Sequence, residues 1–173
     1  MGFAWRYALV EADAGLFQAL RLSALRECPS AFSSSYGEEC SIPVEVVAER
    51  IAPSPDNRVF GAFDQSGLVG CIGIHREMKV RLAHKAVIWG TYVAPEYRGQ
   101  GIGSDLMSHA VRFAASMSGL RNLILSVTKG NSAALMLYER MGFKAFGVEP
   151  GAMLIDNELH DEIHMVRTIK GET

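Results

Sequence analysis

The residues with chemistry to offer gather around one turn. Arg98-Gly99-Gln100-Gly101-Ile102-Gly103-Ser104 sets glycines at alternate positions beside an arginine. Ahead of it, Lys85–Val93 is rich in β-branched and aromatic residues and reads as a strand. Beyond it, Ile102, Leu106, Ala110, Phe113 and Met117 recur at steps of three and four, the apolar stripe of an amphipathic helix. The first N–H groups of a helix have no partner inside it. Glycine lets a ligand come close to the backbone, and the helix dipole favours negative charge there. Arg98 adds a permanent positive charge at the rim. Such a strand–turn–helix join suits a phosphate or pyrophosphate. The plainer alternative is a Gly-rich surface turn, because glycine motifs carry little specificity alone.

Two phosphate motifs do not fit. A P-loop needs Gly-Lys-Ser/Thr, and here Gly103 is followed by Ser104 and Asp105. A dinucleotide fingerprint needs Gly or Ala where Ser104 stands and an acid about 20 residues on, where Arg121-Asn122-Leu123-Ile124 offers none. What remains is Arg-x-x-Gly-x-Gly at Arg98, Gly101 and Gly103. A second segment follows, Asn131-Ser-Ala-Ala-Leu-Met-Leu-Tyr138-Glu-Arg-Met-Gly142-Phe143. In order, with a strand between them, the two segments resemble the paired signatures of the GNAT N-acetyltransferase superfamily. The resemblance covers residues 87–146 at the level of motif and the rest only in topology.

The resemblance implies an α/β (α+β) fold: a mixed, mostly antiparallel sheet with a central parallel β-α-β crossover and helices on both faces. It implies an acyl-CoA-dependent N-acyltransferase, with acetyl-CoA as cosubstrate, no metal, and a small-molecule or peptide amine as acceptor. The implied cofactor residues are Tyr92, Val93, Arg98, Gly99, Gln100, Gly101, Ile102, Gly103, Ser104, Asn131 and Tyr138. Asn131 would hydrogen-bond the cofactor arm, Tyr138 would meet the sulfur as acid, and the backbone N–H at Val93 would serve the oxyanion. Helical geometry agrees, since positions 131 and 138 lie about 20° apart on one face. Taken alone, Asn131 also reads as an N-cap and Tyr138 as core.

Acyl transfer to an amine also needs that amine neutral. Many family members place a Glu on the strand before the motif, but Ala86-Val87-Ile88-Trp89-Gly90-Thr91-Tyr92-Val93 holds no carboxylate. His75, Glu77, Glu96, Glu149 and His164 are the alternatives. The five residues between Glu77 and Ala83 suit a hairpin, and an antiparallel pair would leave His75 and Glu77 far from Val93. The expectation is therefore a base acting through water near Tyr92, with Glu149 the first side chain to test. Glu38 and Glu39 read as a draw for a cationic amine or as a solvated helix face. A CoA-binding sensor without catalysis is the alternative function, and an unrelated nucleotide-phosphate binder a further one.

The 173 residues suit a single domain spanning 1–173, with about half of them apolar and a net charge of −2. No basic block points to nucleic acid. Cys28, Cys40 and Cys71 are odd in number and widely spaced, which fits neither a zinc site nor a disulfide framework and suits a reducing cytoplasm. No apolar run approaches the ~20 residues of a membrane span. Nothing fixes the acceptor or the oligomeric state, so a homodimer stays open.

In chain order, residues 5–12 read as a first strand. Asp13 then caps a helix with the stripe Leu16, Ala19 or Leu20, Ser23 and Leu25, which Pro29 ends. Residues 30–41 read as a loop or frayed helix, and Pro43 opens a short helix through Arg50. Residues 58–63, 68–77 and 82–93 form a meander. Residues 123–127 read as a strand buried on both faces. Residues 144–148 and 160–169 pair after a loop through Pro150, Gly151 and Asp156-Asn157.

Overall fold

The structure, a computed structural model, describes residues 8–169. β1 (Asn57–Asp64), β2 (Gly67–Arg76) and β3 (Lys85–Val93) form an antiparallel meander. Asp64 fixes its first turn by accepting from the N–H groups of Ser66 at 2.7 Å and Gly67 at 3.2 Å. β3 crosses through α4 (Ile102–Ser116) to the parallel β4 (Asn122–Thr128). α5 (Ser132–Arg140) leads to β5 (Lys144–Ile155), which pairs antiparallel with β6 (Glu158–Thr168). β6 returns beside β4, giving the order β1-β2-β3-β4-β6-β5. The sheet is mixed and mostly antiparallel, with one parallel pair at its centre.

Each face carries its own core. α4 buries Ile102, Leu106, Met107, Ala110 and Ala114 against Ile72, Ile74, Ile88 and Leu123, and Tyr138 and Phe143 extend that core under α5. On the opposite face α1 (Ala14–Glu27) and α3 (Val44–Ile51) cover Val59, Cys71 and Tyr92 with Phe17, Leu20, Val47 and Ile51. On that second face Ser126 in mid-β4 stays exposed.

Two irregularities shape the centre. Parallel pairing lasts only for Lys85–Asn122, Ala86–Leu123 and Val87–Ile124. Past those pairs β3 and β4 no longer bond, and their carboxyl ends part. At the same level Cys71 pairs with Tyr92 but Gly73 pairs with Trp89, so β3 holds one extra residue, a bulge at Gly90, whose φ is +63°. Because side chains alternate with period two, the extra residue inverts their parity. Ala86 and Ile88 face α4, and Trp89 faces α1. After the bulge Tyr92 packs on the α1 side and Val93 on the α4 side.

Several expectations are corrected. Residues 8–12 form no strand: Glu11–Asp13 is a turn of 3-10 helix, and only the Leu9 N–H reaches the sheet, donating to Val59 O at 2.8 Å. Residues 5–7 lie outside the described residues. Asp13 accepts from the Val10 N–H at 3.0 Å rather than from its helix. The inward face of α1 is Ala14, Phe17, Leu20, Arg21, Ala24 and Leu25, while Leu16 is 47% exposed, because α1 turns its Phe17 side to the sheet and Leu16 lies off that face. Residues 30–41 hold a 3-10 turn (Pro29–Ala31) and a four-residue helix, α2 (Tyr36–Glu39), with a Ser35–Glu38 capping box. β3 begins at Lys85, not 82. β4 buries Leu123, Leu125 and Val127 but leaves Ser126 exposed, since on its other face only Thr128 is buried, its hydroxyl donating to Ser30 O in the 3-10 turn. β5 continues through Pro150 and Gly151, with an irregular register between Glu149 and Met153, to a turn where Asp156 and Asn157 take φ +48° and +65°.

Candidate active site

The join after β3 forms as its residues dictate. Pro95 opens a 3-10 turn (Pro95–Tyr97), Gly99 and Gly101 take φ +73° and +84°, and α4 starts at Ile102 with no side chain capping it. Its first N–H groups therefore face outward unclaimed by a cap. They open on a cavity of about 610 Å³ between α4 and α5. Tyr92, Val93, Arg98, Gly99, Gly101, Ile102, Gly103, Ser104, Asn131 and Tyr138 all line it. Gln100 does not; its amide donates to Glu96 O at 3.1 Å. Glu149 lies away from it, on β5, accepting from His164 Nε2 at 3.0 Å.

The glycines differ in task. A Cβ on Gly101 would meet nothing within 4 Å, so its role is the left-handed backbone. A Cβ on Gly103 would stand 3.2 Å from Leu137 Cδ2, so its role is to let α4 approach α5. Asn131 caps α5, its side chain accepting from the Ala134 N–H at 3.2 Å, and it also lines the cavity.

Sequence reasoning missed Glu27 and Thr91. Glu27, at the end of α1, accepts from Arg98 Nη2 at 2.8 Å and from the Tyr92 hydroxyl at 2.5 Å. Arg98 also donates through Nε to Val93 O at 2.9 Å. Burial alone would raise the Glu27 carboxyl, but the Tyr92 and Arg98 bonds outweigh it and hold its pKa below the usual range. Nothing local signals a contact across 71 residues. Thr91 lines the first cavity together with Tyr138, and Gly90 in mid-strand was the available hint that the residue after it would turn toward the cavity.

A second cavity, of about 520 Å³, lies on the other face. Arg21, Ser33, Ser34, Glu39, His75, Trp89, Gly90, Ser126 and Glu162 line it, and Ala31 and Phe32 border both cavities. His75 pairs with Val87, six positions before Val93, as an antiparallel β2–β3 pair requires.

Against this geometry, the acetyltransferase (GNAT) family profile matches residues 22–143, more than half the chain. The chain belongs to that family. Among curated relatives, the streptothricin acetyltransferase of Streptomyces lavendulae is 47% identical over 33% of this chain and 30% of its own length. The spermidine N(1)-acetyltransferase of Vibrio cholerae is 24% identical over 57% of this chain and 56% of its own length. The chain thus spans less than two thirds of these relatives. Among solved structures, a GNAT-family acetyltransferase from Streptococcus pneumoniae superposes with TM-score 0.82 at 22% identity, covering 98% of this chain and 100% of that one. A Salmonella typhimurium protein solved with its cofactor acetyl-CoA gives 0.83 at 15%, covering 100% and 97%. At such identities the likeness is one of fold.

In this GNAT chain burial raises the Tyr138 phenol above its ordinary value, against a smaller lowering by Thr91, so it stays protonated at neutral pH. Burial likewise pushes the Cys71 thiol up to about 12, and burial and then the Glu27 charge raise Cys28, which lines the first cavity. Neither thiol is a ready nucleophile. Among the described residues no cluster of three or more His, Cys, Asp or Glu is placed to hold a metal, and no helix is long and apolar enough to cross a membrane.

Proposed function

We propose that this chain is an N-acetyltransferase that moves an acetyl group from acetyl-CoA to a primary amine by direct transfer in a ternary complex, acting as a single domain in the cytoplasm. The observation that carries this is one cavity bounded by the uncapped start of α4, the cap of α5 and Tyr138. These parts fit CoA: N–H donors and Arg98 suit a pyrophosphate, Asn131 suits the pantetheine amides, and Tyr138 lies at the inner wall. Bound acetyl-CoA supplies a thioester, an acyl group activated for attack. The chain's own residues do the rest. The α4 turn anchors the phosphates, the Val93 backbone N–H offers a donor to the acyl oxygen, and the Tyr138 Oη gives a proton to the departing sulfur. The raised thiols of Cys28 and Cys71 support direct transfer over an acyl-cysteine.

The acceptor amine approaches in this reading from the second cavity, on the α1 side of the bulge. Glu149 remains the first carboxylate to test as base, acting at a distance. An amine panel with acetyl-CoA, containing spermidine, amino acids and free N-terminal peptides, tests the proposal by thiol release and product mass. Release with at least one amine is expected. One observation favours a second reading, a CoA-binding sensor: no carboxylate lines the first cavity among the described residues. CoA binding with no release from any amine would select that reading.

A further inference from the structure

Three side chains on the α1 face of the sheet, out on β4, β6 and β5, are joined in a row. Ser126 Oγ lies 2.7 Å from His164 Nδ1, and His164 Nε2 lies 3.0 Å from Glu149 Oε2. The pleat makes the contacts natural. Ser126 and His164 are directly opposed on β4 and β6, and Gly147 of β5 opposes His164 on its other side. The row has a direction. Ser126 forms part of the wall of the second cavity, with Trp89 and Gly90 of the bulge. His164 stands behind it with 28% of its side chain exposed, and Glu149 ends the row with 57% exposed. A hydroxyl at the cavity, an imidazole behind it and a carboxylate in water make a path from cavity to solvent.

We propose that Ser126, His164 and Glu149 are the proton exit for the acceptor amine, a role that rests on the acyltransfer reading above. The hydrogen bonds select the tautomer. An ionised Glu149 can only accept, so Nε2 carries the hydrogen and Nδ1 is left with its lone pair. Nδ1 then accepts the Ser126 hydroxyl proton. When an ammonium substrate sits at Ser126, its proton passes to Oγ as the Oγ proton passes to Nδ1. The serine ends neutral as it began, the amine is left with the lone pair that attacks, the imidazolium passes its Nε2 proton by way of Glu149 to water, and proton exchange with water returns the ring to the Nε2–H tautomer before the next turnover. No oxidant, metal or covalent intermediate is needed. The other groups facing His164 are Phe146 of β5, stacked at 6.0 Å and 29°, and Glu162, two residues back on its own strand and also in the cavity wall. Ser126 is the residue that touches substrate; His164 and Glu149 act through it.

The test uses the full chain, acetyl-CoA and three probe amines: spermidine, L-methionine and a free N-terminal hexapeptide. In wild type, the acid limb of kcat at saturating amine should report an imidazole. In His164→Gln that limb should move toward the ionisation of the amine itself, with kcat down about 10²–10³-fold and CoA affinity unchanged. Added imidazole should restore part of the rate in His164→Ala. Ser126→Ala should lose rate and Ser126→Thr, which keeps the hydroxyl, should regain it. Long-range proton–nitrogen spectra should show the Nε2–H tautomer at His164 in wild type and a mixture in Glu149→Leu. A structural pair would alter melting temperature without moving the acid limb. Turnover with the same acid limb in every variant overturns the relay alone. Failure of all three amines in wild type, with CoA still bound, overturns the acyltransfer reading and the relay with it.

Discussion

Gly101 sits at φ +84° with open space around its missing Cβ, so a side chain there is penalised by its backbone, not by its neighbours. Left-handed φ costs an ordinary residue about 1–2 kcal/mol, and a β-branched one more. Gly101→Val should therefore reshape the turn and weaken CoA binding strongly, read by calorimetry on folded protein; wild-type affinity would remove the turn from the phosphate site. Arg98→Ala should cost less, about 1–3 kcal/mol at most, because Glu27 already balances its charge. Tyr138 belongs both to the core, packed edge-on to Phe143 at 6.1 Å, and to the cavity. Tyr138→Phe keeps that packing. If the hydroxyl is the acid, kcat should drop about 10²–10⁴-fold with CoA affinity intact. The sign of its pH dependence follows from burial. A raised pKa keeps the proton on, so any basic limb from Tyr138 should lie above pH ~10. A limb near pH 8 would belong to another group.

At the scale of elements, α1, α2 and α3 are tied by one carboxylate. Glu39 of α2 is buried at 7% exposure, bonded to Arg21 of α1 at 3.0 Å and to Arg50 of α3 at 3.3 Å. Arg21 is itself buried, over the Phe32 ring at 4.5 Å. Removing one partner of a buried pair strands the other charge, so Glu39→Ala should cost about 3–5 kcal/mol in urea unfolding. Burial would raise the Glu39 carboxyl, but Arg21, then Ser34 and Arg50, outweigh it and its folded pKa lies below the ordinary one. Its stabilisation is thus present above pH ~4.3 and is lost as pH falls through the depressed value. Wild type should lose stability over that acid window, and Glu39→Gln should show a smaller loss there. This clasp was not legible in sequence, where Glu38 and Glu39 were equivalent neighbours. Only the fold sends Glu38 to cap α2 through Ser35 and Glu39 inward. By contrast β1, β2, α4 and α5 were legible, because alternation, turn residues and helical stripes are local signals.

At the scale of the molecule, the join after β3 and the start of α5 could be placed from sequence because each motif sits on a strand end or helix start. The cleft between them could not. It depends on where β3 and β4 stop pairing and on a bulge that one glycine only hints at. Gly90 decides which residues look where: it turns Tyr92 toward Glu27 on the α1 side and Thr91 into the lining of the first cavity. Gly90→Ala tests this. The added Cβ would approach nothing closer than Arg21 Nη1 at 3.9 Å, so no clash confuses the result, but φ +63° penalises it by about 1–2 kcal/mol. If β3 kept its course, the variant would lose that much stability and nothing else. If the strain is relieved by flattening the bulge, Thr91 and Val93 shift at the cavity wall. We expect the second outcome: kcat should fall by more than tenfold in protein that melts only a few degrees lower. A variant with lowered melting temperature and unchanged kcat would show that the bulge shapes the sheet without setting the chemistry.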